Sequence, residues 1–166
     1  MNPLVIDSFA FCRLGEHREG VIAVADLPRL EEDTADGSGE LHWVLQGGTD
    51  QLGHARLDLQ VKGKVQLMCQ RCLTAFAFEI DSTSSLILAK AEVEIEGIDA
   101  ILEDEGVDVI LGSAVMDVLE LIEDEALLAL PLAPKHDVCP DPEDLERLKA
   151  TAKPSPFAAL KNLKSM

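Results

Sequence analysis

The feature that most constrains this chain is a long alternation in its middle. Leu57, Leu59, Val61, Val65 and Leu67 fall on one parity, and Arg56, Asp58, Gln60, Lys62, Lys64 and Gln66 on the other. Successive side chains of a strand point to opposite faces, so this pattern makes one face apolar and one polar. Such a strand belongs in an antiparallel sheet with one solvated face. Gly63 interrupts the apolar parity and reads as a bend or bulge there.

Shorter alternations flank it. Leu41, Trp43 and Leu45 share a parity before the turn residues Gly47, Gly48 and Asp50. Phe76, Phe78 and Ile80 share one after it, and an apolar run follows at Leu86 to Leu88. The connection from Cys69 to Thr74 therefore joins two facing strands. The start, Leu4 to Phe9, alternates poorly and is expected to be a buried or edge strand. Val21 to Ala25 is a short run stopped by Pro28, and polar Glu31 to Gly39 is expected to be a loop.

Residues 92–125 change character: they hold 13 acidic residues and neither Lys nor Arg. To about Asp108 the pattern suggests loop or irregular strand. From Ser113 the period becomes helical. Ser113 can cap the first turn, and Val115, Leu119, Ile122 and Ala126 recur at threes and fours. Glu120, Glu123 and Asp124 are then expected to face outward. Pro131 and Pro134 end the helix. The last stretch, 147–166, has five basic residues and no acidic ones. Its Phe157, Leu160 and Leu163 are spaced for one face of a short helix that docks on its own domain or on a partner.

The expected fold class is α+β: a mainly antiparallel sheet that could curl towards a barrel, a packed amphipathic helix and an extended C-terminal tail. Residues 1–146 are expected to form a single domain, and 147–166 a basic, proline-interrupted docking tail.

One constellation has chemical content. Cys69 and Cys72 form a Cys-x-x-Cys at a hairpin tip, and His136 and Cys139 repeat that spacing in a later loop. Together they offer a Cys3His set suited to tetrahedral zinc, which would be structural because no position is left open. Two other readings fit the same residues: thiols simply packed between strand end and loop, and a redox pair. The redox reading is the weaker, since neither cysteine starts a helix that would lower its pKa. His17, His42 and His54 match no ligand spacing. No nucleophile elbow, P-loop or dinucleotide fingerprint occurs, and the Glu123-Asp124-Glu125 cluster lacks calcium-loop spacing.

Charge decides among partners. With 31 acidic and 14 basic residues the formal net charge is -17. Such a surface repels phosphate chains and attracts basic proteins. Direct RNA contact would need a local patch, and Arg56, Lys62, Lys64 and Arg71 are the candidates. No segment has the roughly 20 apolar residues that span a bilayer. Nothing argues for export, so the expected setting is the cytoplasm, with no membrane partner.

Four stretches together resemble the large ribosomal RNA subunit accumulation protein YceD family, also called DUF177. They are Gly20 with Leu27-Pro28-Arg29-Leu30; Leu67-Met68-Cys69-Gln70-Arg71-Cys72-Leu73; Leu121 to Pro131 running on to Pro134, His136 and Cys139; and Pro154 to Lys164. Ser155 and Ala126 depart from the family's usual residues. The resemblance implies a role in accumulation or processing of 23S ribosomal RNA and in large-subunit assembly, without a known catalytic activity. A basic ribosomal protein or rRNA-processing factor is the expected partner, through Glu120, Glu123 and Asp124 and through the tail.

Overall fold

The computed structural model describes residues 4–102, 107–137 and 156. Its centre is an open five-stranded sheet. The strands are β2 (His17–Ala23), β3 (Glu40–Thr49), β4 (Ala55–Met68), β5 (Ala75–Ala89) and β6 (Asp108–Leu111), in the order β2-β3-β4-β5-β6. The first four run antiparallel, and β6 adds parallel to β5. A two-residue β1 (Val5–Ile6) pairs separately with β7 (Met116–Asp117). The sheet does not close into a barrel: β2 and β6 remain its two edges.

The alternation of β4 does what its parity requires. Leu57, Leu59, Val61, Val65 and Leu67 are all buried. They face Leu41, Trp43 and Leu45 of β3 and Ile80 and Leu86 of β5 in one core. Each such side chain contributes roughly 1.5–3 kcal/mol on burial. Gly63 is not a bulge, because pairing runs through it unbroken to Leu41 on one side and Ile80 on the other. A Cβ there would lie 2.3 Å from the Glu40 carbonyl oxygen, so the glycine allows close strand approach.

Among the described residues, four α-helices pack with the sheets: α1 (Ser8–Leu14), α2 (Pro28–Asp33), α3 (Glu92–Leu102) and α4 (Val118–Ala129). Three differ from expectation. The start holds the expected strand only at β1, and from Ser8 it is helical because Asp7 caps α1, accepting from Phe9 and Ala10 amides at 3.1 Å, and Gly15 ends it at φ 62. Residues 92–102 form a crossover helix rather than loop. Their Glu-Val-Glu-Ile-Glu start mimics a strand, but Ile95, Ile98 and Leu102 are the more sheltered positions, at helical spacing. Glu92 and Glu94 in its first turn suit the helix dipole. Similarly, Glu31 to Asp33 belong to α2, not to a loop.

The fourth helix starts later than Ser113. Its cap is Asp117, which accepts from the Leu119 amide at 2.9 Å. Ser113 instead exchanges hydrogen bonds with Ser8: its amide donates to the Ser8 hydroxyl, which donates to the Ser113 carbonyl, both at 2.9 Å. Val115 is exposed as a result. Ile122 and Ala126 of α4 sit in the core as expected.

Candidate metal centre and acidic helix

The hairpin tip between β4 and β5 is a tight knuckle. The Cys69 amide donates to the Thr74 carbonyl and the Leu73 amide to the Cys69 carbonyl, both at 2.9 Å. Leu73 takes the left-handed conformation, φ 59, that lets the chain turn straight after Cys72. After α4 the chain returns to this tip. The Gln70 amide donates to the Pro134 carbonyl at 2.8 Å, and the His136 amide to Cys69 Sγ at 3.4 Å. His136 Nδ1 lies 3.3 Å from Cys72 Sγ, and its ring packs against Phe76.

The donor atoms of Cys69, Cys72 and His136 thus lie within 4.8 Å of one another and could hold a metal ion. A tetrahedral site with bonds of about 2.0–2.3 Å separates its donors by about 3.3–3.8 Å, so small adjustments suffice. The electrostatics agree. Burial pushes the Cys69 thiol up, but amide hydrogen bonds from Cys72, His136 and Arg71, with the His136 side chain, bring it down to about 5. A sulfur held as thiolate is what a soft metal requires. Cys139, the fourth residue of the expected set, lies outside the described residues.

The acidic helix is arranged differently from the sequence expectation. Glu123 does not face outward; it is 5% exposed. The residue before α2 is Leu27, whose side chain has no oxygen to cap it. Glu123 supplies that oxygen from α4, accepting from the Arg29 amide at 2.6 Å and the Leu30 amide at 3.1 Å. It also accepts from Arg29 Nε at 3.0 Å, while Asp124 takes Arg29 Nη1 at 2.8 Å. The carboxylates of Asp124 and then Glu123 hold this guanidinium above its ordinary range. Two stretches far apart in sequence, Leu27–Leu30 and Glu123–Asp124, therefore meet. Glu125 is likewise engaged, accepting the Ser82 hydroxyl.

What remains outward is smaller. Glu120 and Asp124 are exposed. With Asp26, Asp117 and Arg29 they line a hollow of about 530 Å³ beside α2. Sequence reasoning did not place Asp26 and Asp117 in one site, because their proximity depends on the α2–α4 contact.

The cationic candidates are dispersed. Arg56, Lys62 and Lys64 share the polar face of β4, each beside an acid. Arg56 bonds Asp58 at 2.9 Å, Lys62 lies 3.7 Å from Asp81, and Lys64 sits opposite Glu79. Arg71 is at the knuckle, where with Lys135, His136, Phe76 and Phe78 it lines a hollow of about 370 Å³. Phe157, Leu160 and Leu163 lie outside the described residues.

Residues 57–164, from β4 through the tail, match the family model described as large ribosomal RNA subunit accumulation protein YceD. The chain belongs to the YceD family. The matched span contains both halves of the cysteine and histidine cluster and all of α4. No solved structure matches it. The family description ties the YceD chain to accumulation of large-subunit ribosomal RNA. Among the described residues, no helix is long and apolar enough to cross a membrane.

Proposed function

We propose that this YceD chain promotes 23S rRNA accumulation as a non-enzymatic, cytoplasmic assembly factor that binds a basic ribosomal or rRNA-processing protein. The observation that carries this reading is electrostatic. A chain of net charge -17 exposes Glu120, Asp124 and Asp26, with half-buried Asp117 beside them, around one hollow. Low-affinity Coulombic steering towards a cationic protein follows from such a surface. A phosphate backbone meets the opposite field. Glu123 supports the surface from beneath by fixing α2 against α4.

Zinc fits the same picture as a structural element. Cys69, Cys72 and His136, with Cys139, would hold it and so tie the chain after α4 to the hairpin tip. The metal would supply no open position for chemistry.

Affinity capture from cells, with and without RNase, tests the reading. Basic ribosomal or processing proteins should stay bound after RNase, elute with salt, and be lost from an E120K/D124K variant. Loss of all retained protein on RNase treatment would overturn it. One observation favours a second reading, direct RNA contact: Arg71 and Lys135 flank Phe76 and Phe78, a cation and aromatic combination on which bases stack. Salt-dependent filter binding of precursor 23S RNA, weakened by R71E/K135E, would select it.

A further inference from the structure

The charge of the chain is divided by position. Residues 1–146 hold all 31 acidic and 9 of the 14 basic residues, a net of -22, while 147–166 hold the other five basic residues and no acid. The described body ends at Asp137, three residues after Pro134, which lines an apolar groove of about 580 Å³. The groove lies between the end of β4, the knuckle and the C-terminal end of α4. Met68, Leu73, Leu127, Leu130, Leu132 and Pro134 line it. Leu73 is 74% exposed, Met68 44%, and Leu132 fully. The two charged residues of the lining, Glu32 and Asp33, are both acidic. Clustered exposed leucines beside like charges mark a surface that takes an apolar, basic segment.

We propose that this groove receives the chain's own C-terminal segment, Phe157 to Lys164, with Phe157, Leu160 and Leu163 against the leucines and Lys161 and Lys164 towards Glu32 and Asp33. Three observations select this occupant. Its charge is the complement of both the groove and the body. Its apolar residues recur every third position, as one helix face requires. And its origin is close: Pro134 lines the groove only three residues before Asp137. The intervening chain from Asp137 to Phe157 can reach up to about 65 Å, at about 3.3 Å per residue, well beyond what the return needs. Because the segment is tethered, docking needs no high protein concentration. A partner presenting a similar basic, apolar segment would have to displace it, which gives the protein a self-masked surface next to the knuckle.

The test uses the full chain with Leu160 replaced by p-benzoylphenylalanine, a photoreactive and still apolar side chain. Irradiation should place adducts on Met68 and within the stretch 127–134, read by mass spectrometry of digested protein. A mixture of isotopically light and heavy chains should give adducts within one chain, not between chains. An L73E/L132E variant, altered only at exposed positions, should keep its circular dichroism spectrum and lose those adducts. High salt should reduce them. Adducts mainly on other surfaces, adducts only between chains, or adducts insensitive to L73E/L132E would each overturn the proposal. None of these readouts depends on which macromolecule the protein assembles with, so failure here leaves the capture experiment to be judged by itself.

Discussion

Replacing Glu123 with Ala should destabilise the protein far more than an exposed acidic residue could. In the native state one nearly buried carboxylate accepts the Arg29 and Leu30 amides at 2.6 and 3.1 Å. Those donors belong to the first turn of a helix whose preceding residue, Leu27, has no capping oxygen. Alanine leaves both without the carboxylate. Losing a capping acceptor costs about 0.5–2 kcal/mol, and each buried donor left unsatisfied about 1–3 kcal/mol. A combined loss of about 3 kcal/mol is therefore expected for E123A, allowing for some water reaching the opened site. For a domain of this size that lowers Tm by roughly 6–12 °C. Glutamine keeps an oxygen for the amides and should recover much of the loss. Among the described residues Asp124, 54% exposed, bonds only the 52% exposed Arg29 guanidinium, so D124A should move the midpoint little. Urea and thermal unfolding of the three variants, followed by circular dichroism, give the comparison. If E123A were no more destabilised than D124A, the idea that α4 caps α2 would be wrong.

Protein purified without chelator should contain one zinc per chain, and C69S/C72S should lose it. At free zinc about a thousandfold above the dissociation constant, the metal adds about 4 kcal/mol of stability; unchanged metal content and unchanged melting in the variant would reject the site. Gly63→Ala should cost about 3 kcal/mol, because its Cβ would meet the Glu40 carbonyl at 2.3 Å, whereas Gly97→Ala in α3, with open space, should gain about 0.5–1 kcal/mol; equilibrium unfolding checks both. Asp50 is pulled up by burial but pulled down further by the His54 side chain and amide and the Leu52 amide, leaving it below its ordinary value of 3.8. A depressed carboxyl stabilises the fold above that ordinary value and loses its contribution as pH falls through the native one. D50N should therefore flatten stability against pH below about 4, and an unchanged acid limb would refute this.

Much of the sheet was legible because a strand's side-chain period is two and the core-facing residues of β4 obey it at every position but Gly63. The same rule misread α3, where acid and apolar residues alternate at the start of a helix. Propensity and pattern are local, and what made 92–102 helical was the need to cross from β5 to a parallel β6. At the candidate site, Cys69, Cys72 and His136 were found from spacing, and the structure brings their donors together. Lys135, Phe76 and Phe78 beside Arg71 were missed, since their hollow forms only where the chain after α4 returns to the knuckle.

The amino-acid order alone determined the half-solvated antiparallel strands, the acidic balance and the ligand spacing, because each depends on neighbours within a few residues. Only the tertiary structure decided that Glu123 points inward. Its partners lie 93 and 94 positions away, and no helical period can tell a carboxylate facing water from one facing the open end of another helix. The sheet's failure to close was decided at the same level. Whether β2 meets β6 depends on accumulated twist and on the crossover through α3, and neither is written in the alternation of any one strand.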